Sequence, residues 1–519
     1  MAPNRAQYKR LSRSSTDLPC ETIEIEFKEK SVIYGFFSLI LRRARRLFAR
    51  VNKPIKIFSF LLVLLGIQLK FNGSFLEKDA PSFKPDTQER IFIAANIIDG
   101  DLIQNRWGPT LLSLVQLIGS ERTYVSIYGG PTAALSQLAD MLECEHKIVS
   151  EEQEPVDLEK LPRMLLSDGN RRIKRISFLA EVRNKALEPL KELESQGRKF
   201  DKILFINDVL FSPTEALRLL WGTNMNENGK AEYKAACAAD FVTSWKYYDT
   251  FATRDAEGYS LGLPIFPWFS TKGEAVSRKD VLAGRDSVRV KSCWGGMVSF
   301  DARYFMSTNT GSLRANTSFT QQVDFNFPVR FRSEPESFWD ASECCLVHAD
   351  IMSLPSLYPP SNSDDGFDTG IYMNPYVRTA YSEEAFAWIP IIKRFERLMS
   401  PIQWLINQLV RIPHFNYRRT ENPGQIIDDW IWINYNSSQT SLDVDDRYLP
   451  AKSFSRPETS WKKLGYYKSV KRVATRGGYC GVRQLMVLKE KVFSNENNGK
   501  GGENWDNLLN SVPPLDLIN

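Results

Sequence analysis

Along residues 90–150, runs of consecutive apolar residues alternate with stretches in which leucine and valine recur at helical spacing. Residues 90–97, 124–128 and 147–149 are largely apolar, β-branched or aromatic and read as buried strands. Between them, residues 110–118 place Leu111, Leu112, Leu114, Val115 and Ile118 at helical spacing, with Pro109 near the start, and Leu135, Leu138 and Leu142 mark a second helix. The β-α-β-α-β order predicts a parallel sheet with right-handed crossovers. Residues 202–211 repeat the unit: an apolar strand ends in Asn207-Asp208, and Ser212-Pro213-Thr214-Glu215 reads as a capping box that opens a helix. Strand, acidic turn and helix is the arrangement in which an open α/β sheet holds a ligand at its strand ends. Asp208 would sit there to meet a divalent metal and a diphosphate. The ordinary alternative, an Asp that only satisfies turn backbone, stays open.

Before that strand, residues 181–190 read as a helix with Arg183 and Asn184 as its notable polar pair. A guanidinium at the sheet edge would clamp a diphosphate bidentately, although helix faces rich in Arg are commonly only solvated. After it, residues 239–242 read as a further strand, residues 247–255 mix aromatics with charge, and residues 288–300 carry Trp294-Gly295-Gly296. The glycine pair lets backbone approach a ligand and Trp294 offers a face to a sugar ring; a β-bulge beside a core Trp is the alternative. Residues 342–350 are expected as a strand with Glu343 at its entry and Leu346 and His348 on one face. One carboxylate, one His and the distant Asp208 suit a Mn²⁺ site completed by phosphate oxygens, against the alternative of a satisfied core His. Residues 383–411 form a long helical pattern, expected to be interrupted at Pro390 and Pro401.

The amino end has a different pattern. Residues 1–30 are polar and rich in Ser and Arg. Arg42, Arg43, Arg45, Arg46, Arg50, Lys53 and Lys56 follow with no acid among them, and then comes an apolar run. Residues 55–71 would make about 25 Å of helix, close to the thinner bilayer of the early secretory pathway at about 27 Å. The flanking cations put residues 1–54 in the cytoplasm, the signal anchor at 55–71 and everything after it in a lumen. A buried core helix is the alternative. Residues 72–89, with Pro81 and Pro85, read as a stem linker, residues 90–385 as the main domain and residues 386–519 as a helical and irregular extension. The sequons at Asn72, Asn316 and Asn436 are compatible with a luminal body.

Composition narrows the chemistry. With 43% hydrophobic and 25% charged residues, the 519-residue chain is globular in character. A net charge of +5, concentrated near the amino end, gives no footprint for nucleic acid. Three His argue against an imidazole-built zinc site, and seven Cys without a C-x-x-C pair exclude ribbon and thioredoxin patterns. Six of those Cys lie beyond the anchor, where a lumen would allow disulfides of unspecified pairing, while Cys20 would stay reduced.

Several of these segments together resemble a known family. They are Ser126-Ile127-Tyr128, Arg183-Asn184 with Pro189-Leu190, Phe205-Ile206-Asn207-Asp208-Val209, Tyr248-Asp249-Thr250-Phe251 with Arg254-Asp255, Cys293-Trp294-Gly295-Gly296, Glu343-Cys344-Cys345 with His348 and Asp350, and Asn374-Pro375-Tyr376-Val377. Over residues 90–385 the chain is similar to the fungal cryptococcal mannosyltransferases and capsule-associated proteins, glycosyltransferase family 69. The resemblance implies a GT-A-like α/β fold, a mixed and mainly parallel nucleotide-sugar-binding sheet with flanking helices behind one membrane anchor. It implies a Golgi (or ER) type II protein that transfers mannose from GDP-mannose to a glycan acceptor in α-1,3 linkage with Mn²⁺ or Mg²⁺. Carried over, Asp208 and His348 would hold the metal, and Arg183, Asn184, Asn207 and Asp208 the donor. Glu343 or Asp249 would be the carboxylate near the reacting sugar, and Trp294, Gly295 and Gly296 would meet the acceptor. After Ser126-Ile127-Tyr128 the family usually has Glu, whereas this chain has Gly129 and Gly130. That departure leaves open an altered donor, or a non-catalytic Golgi factor for polysaccharide assembly or export.

Overall fold

The computed structural model describes residues 53–71, 73–165, 170–307, 328–354, 366–434, 465–490, 505–508 and 512. The three sequon asparagines, Asn72, Asn316 and Asn436, lie outside these residues. Packing divides the chain into Met1–Phe71 and Asn72–Asn519. In the first unit the apolar run forms α1 (Lys53–Phe71), with exposed apolar side chains from Ile55 to Ile67. Among the described residues no helix is long and apolar enough to cross a membrane.

The second unit is built on a ten-stranded sheet. Its strands are β1 (Ile91–Ile97), β2 (Thr123–Gly129), β3 (Glu145–Ser150), β4 (Lys202–Ile206), β5 (Ala235–Thr243), β6 (Arg254–Asp255), β7 (Val288–Ser292), β8 (Met297–Asp301) and β9 (Ile371–Ala380). The order is β3-β2-β1-β4-β8-β5-β9-β7-β6, with the short strand Lys246–Tyr247 beside β5. The alternation seen in the sequence is present: α2 (Gly108–Ile118) links β1 to β2, and α3 (Thr132–Met141) links β2 to β3. Then α4 (Arg175–Ser195) leads into β4, and α5 (Pro213–Trp221) leaves it.

Successive side chains of β1 point to opposite faces, and both faces are covered. Ile91, Ile93, Ala95 and Ile97 pack with Trp107, Leu111 and Leu114, whereas Phe92 and Ala94 join Phe178, Ala186 and Leu187 of α4. This is why the strand reads as an unbroken apolar run rather than an alternating one.

The sheet is mixed but not mainly parallel. β1–β2, β2–β3, β1–β4 and β5–β9 are parallel, while β4–β8, β8–β5, β9–β7, β7–β6 and the short strand beside β5 are antiparallel. The turn at residues 293–296 sets the antiparallel pair next to β4. The Asn207 N–H donates to the Gly296 carbonyl at 2.9 Å, so β8 starts at the carboxyl end of β4 and runs against it.

Three local expectations are corrected. Residues 342–350 form a helix, α6 (Glu343–Met352), not a strand; nearly all of it is buried, so its continuous apolar run carries no period that separates the two. The capping box before α5 does not close. Ser212 Oγ pairs with Thr214 Oγ1, and Glu215 Oε2 accepts instead from the Arg378 N–H of β9. Pro390 and Pro401 lie inside α7 (Glu383–Ile392) and α8 (Glu396–Val410), and the break falls between them at residues 393–395.

The segment expected as a stem carries Ser74 and Phe75 buried against the body, Phe75 at 5.0 Å from the Tyr376 ring. Beyond α8, β10 (Ile426–Asn434) and β11 (Gly465–Val473) form a hairpin, and a later segment returns to α6 through a Cys345–Cys480 disulfide. A second disulfide joins Cys237 to Cys293, and Cys144 and Cys344 are buried and free.

Candidate active site

In the order β3-β2-β1-β4 the chain first steps outward from β1 and then returns to its other side. The crevice between the carboxyl ends of β1 and β4 is therefore the topological switch point, where open α/β sheets bind ligands. An aspartate follows each strand. Asp99, exposed, caps the turn after β1 by accepting from the Leu102 N–H at 3.0 Å. Asp208 follows β4 on backbone that is pinned on both sides: Trp107 Nε1 donates to the Asn207 carbonyl at 2.9 Å, and the Leu210 N–H to the Ala380 carbonyl at 2.8 Å. The Asp208 side chain is half-buried. Burial pushes its pKa up, the Arg183 charge pulls it down, and Asp99 pushes it up again.

Arg183 reaches this point from α4. Its Nε donates to Glu343 Oε1 at 3.0 Å, and its Nη1 to Asn207 Oδ1 at 3.1 Å. Its guanidinium lies 4.3 Å from the centre of the Trp294 ring. One carboxylate, one amide and one aromatic face thus fix a cation beside Asp208, in a setting where water screens it poorly.

A second acidic group completes the site. Asp240, in β5, is fully buried. Its Oδ1 accepts from the Asp249 N–H at 3.1 Å and its Oδ2 from the Tyr381 hydroxyl at 3.3 Å. Asp249 is held by Ala252 N–H at 3.1 Å, Thr253 Oγ1 at 3.2 Å and Gly295 N–H at 3.4 Å. Burial raises both carboxyls, Asp240 well above the usual range, and the Asp249 charge adds to the rise on Asp240. Burial likewise raises the Tyr381 hydroxyl, which also feels Asp240, Asp208 and Asp249, so the acid pair and the switch-point aspartate share one locus. The Tyr248 ring is half-exposed and lies 4.3 Å from that of Tyr381.

The expected site residues divide accordingly. Arg183, Asn207, Asp208, Glu343 and Asp249 are brought together. Glu343 is buried, with one oxygen taken by Arg183 and by the Cys344 thiol at 3.4 Å, so it holds the guanidinium in place. Asn184 does not face the crevice as a donor contact: its amide exchanges two 2.9 Å hydrogen bonds with the Phe331 backbone. Trp294 is buried beneath Arg183, packed on Phe205 and Phe331, and offers no face to a sugar. Gly295 and Gly296 are required by packing rather than by a ligand. Their φ angles are 62° and 68°. A Cβ at Gly295 would meet the Ala238 carbonyl oxygen at 1.9 Å, and one at Gly296 would meet Val209 Cγ1 at 2.8 Å. Gly129 is similar, with φ at 141° and the Ile97 carbonyl oxygen 2.5 Å from a Cβ there.

His348 is not a metal ligand beside Asp208. It is fully buried in α6, with Nδ1 at 2.6 Å from the Cys344 carbonyl and Nε2 at 3.8 Å from Cys237 Sγ. Burial holds it neutral, with a pKa lowered to about 4. Cys237, Cys293 and His348 lie within 4.8 Å of one another, but the two sulfurs are joined and cannot act as thiolates. Asp208 does fit a hard cation: it is a half-buried carboxylate at a strand end whose side chain, among the described residues, takes a hydrogen bond from no other side chain. Sequence reading missed Asp99, Asp240 and Tyr381. The available signal was an aspartate inside the otherwise apolar β5.

The family model described as cryptococcal mannosyltransferase 1 matches residues 90–350, the span that holds every one of these groups except Tyr381. The chain belongs to that family. Its family is one of glycosyltransferases, and this cryptococcal mannosyltransferase relative carries its switch-point aspartate, arginine and acid pair on a mixed α/β sheet. No curated protein matches. Among solved structures, glucosyl-3-phosphoglycerate synthase from Mycobacterium tuberculosis with Mn²⁺, UDP and phosphoglyceric acid aligns at TM-score 0.28 and 10% identity, covering 68% of this chain and 88% of that one. The mannosyltransferase PcManGT from Pyrobaculum calidifontis with GDP-Man and Mn²⁺ aligns at TM-score 0.28 and 12% identity, covering 65% and 69%. Likeness at this level does not bear on the site.

Proposed function

We propose that this protein transfers mannose from GDP-mannose to a mannose-containing acceptor in α-1,3 linkage, with a divalent cation, Mn²⁺ or Mg²⁺, held at Asp208. The observation that carries the reading is the convergence of Asp208 and Arg183 on the switch point. Bound there, the cation would neutralise charge on the departing diphosphate. Arg183 brings a fixed positive charge to the same leaving group, and Glu343, Asn207 and Trp294 spend no reorganisation in aiming it. Asp249 is the carboxylate for the reacting sugar. Burial raises both carboxyls of the Asp240–Asp249 pair, the Asp249 charge adds to the rise on Asp240, and Asp249, which accepts from the Ala252 and Gly295 N–H groups and the Thr253 hydroxyl, is the better supplied with donors for a negative charge. Retention of the α-configuration then follows either from a covalent step on Asp249 or from same-face attack beside it. Tyr248, not Trp294, presents the aromatic face to the acceptor sugar.

Residues 55–71 anchor the chain in this reading, with the body in the lumen of the Golgi (or ER). The two disulfides suit an oxidising compartment and support that side of the membrane. The test is a donor screen on the full-length protein in detergent, with several nucleotide sugars and with or without Mn²⁺ or Mg²⁺. Metal-dependent release of GDP from GDP-mannose, increased by mannose-containing acceptors, is the expected result. No release from any nucleotide sugar in the presence of metal overturns it. An endoglycosidase-sensitive mass shift of the cellular protein checks the luminal placement.

A further inference from the structure

Helix α8 is amphipathic with its polarity turned inside out. Its buried face carries Glu396, Ser400, Gln403 and Asn407. Each is bound to the body: Glu396 to Arg378 at 2.7 Å, Ser400 Oγ and Gln403 Oε1 to the Arg278 guanidinium at 2.8 and 3.0 Å, and Asn407 Oδ1 to the Leu263 N–H at 2.8 Å. Leu398, Ile402, Leu405 and Leu409, spaced four, three and four residues apart, lie on the opposite face and are 44–73% exposed. Trp404, Val410 and Phe415, together with Trp388 and Ile391 of α7, widen this face. A soluble protein ordinarily turns such a stripe inward, and a continuous exposed apolar patch marks a contact surface.

The charges around the patch favour an anionic partner. Glu383 and Glu384 are exposed at the amino end of α7, the first of them paired with Arg106; from residue 388 to 414 the acid Glu396 is buried in its pairing with Arg378, and the charged side chains that reach the surface are Arg394, Arg397 and Arg411. Exposed leucines with flanking tryptophans and a cationic rim are the pattern of a helix lying in the headgroup layer of an anionic membrane. The attachment of the chain agrees. Ser74, three residues after Phe71, donates its N–H to the Lys393 carbonyl at 2.8 Å and its hydroxyl to Glu396 Oε2 at 2.8 Å, so the segment arriving from the proposed anchor joins the body where α7 meets α8.

We propose that the outer face of α7 and α8 lies in the interfacial layer of an anionic bilayer and fixes the orientation of the catalytic body on the membrane. This goes beyond the transfer reaction and is measured without it. The full-length protein is reconstituted into vesicles of phosphatidylcholine, or of phosphatidylcholine with phosphatidylserine, doped with brominated lipids that quench tryptophan on contact. Residues 1–71 contain no tryptophan, so quenching reports on the body alone. Quenching is expected, deeper with the anionic lipid, and most of it is expected to be lost in Trp388→Phe/Trp404→Phe and in Leu405→Glu/Leu409→Glu. The last pair replaces exposed side chains, and an unchanged melting temperature verifies its fold. Wild-type emission that is not quenched, or quenching untouched by either pair of substitutions, overturns the proposal. A detergent-solubilised dimer dispersed by Leu405→Glu/Leu409→Glu would assign the face to a second copy and overturn it as well.

Discussion

Asp208 shows what one side chain can be asked to do. It sits on fixed backbone and has no donor from another side chain among the described residues, so nothing in the fold depends on it. Asp208→Ala should therefore leave stability within about 0.5 kcal/mol of the wild type, while lowering sugar transfer by about 100-fold or more. Parallel melting and GDP-release assays separate the two effects. Gly295 is the opposite case. With φ at 62° and the Ala238 carbonyl oxygen 1.9 Å from where a methyl group would stand, Gly295→Ala must displace backbone next to Asp249. A loss of about 2–3 kcal/mol is expected. Gly197→Ala, also at positive φ but with open space around it, should lose only about 1 kcal/mol. Denaturant titration of the two variants distinguishes crowding from backbone strain.

At the scale of elements, β5 and α6 each bury a titratable group that the unfolded chain leaves in water, and the two act in opposite directions. Asp240 in β5 has its carboxyl raised by burial and by Asp249. The unfolded chain gives up that proton first, near the ordinary Asp value of about 3.9, so this group costs the folded state stability as pH rises from there towards its raised value. Asp240→Asn should gain on the wild type over that window. His348 in α6 is lowered by burial to about 4. The unfolded imidazole takes its proton first, near about 6.5, so stability falls as pH drops from there to about 4, by up to about 1.4 kcal/mol per pH unit. His348→Gln, which keeps a donor for the Cys344 carbonyl, should flatten that slope. Chemical denaturation at a series of pH values reads both. The elements also show where pattern misleads. The stripe at 398, 402, 405 and 409 has the period of a core face, yet α8 buries the polar side, because Arg278, Arg378 and the Leu263 backbone present it with partners that water would otherwise supply.

For the whole molecule, the Cys345–Cys480 bridge closes a long loop across a separation of 135 residues and ties the returning carboxyl-terminal segment to α6. Arg254 reinforces the same junction through the Tyr479 and Cys480 carbonyls at 2.8 and 2.9 Å. Because α6 also carries Glu343, loosening this tie reaches the residue that holds Arg183. Cys345→Ala/Cys480→Ala should lose about 2–4 kcal/mol of stability, measured by melting under non-reducing conditions. Sugar transfer should fall below its melting transition, rather than only with it, if the α6 amino end needs that tie.

The strand–helix alternation and the seat of Asp208 at a carboxyl strand end were determined by the sequence alone, since both follow from periods of a few residues and from the turn chemistry between them. The partners of Arg183 were not: Asn207 is 24 and Glu343 is 160 residues away, and nothing periodic links them. The same holds for Asp240, which reads as one polar residue in an apolar strand until the loop carrying Asp249 folds over it, and for His348, whose place on a helix against a disulfide turned a candidate ligand into core. Sheet order decides which distant groups meet, and it is set by the packing of two covered faces rather than by any local run of residues.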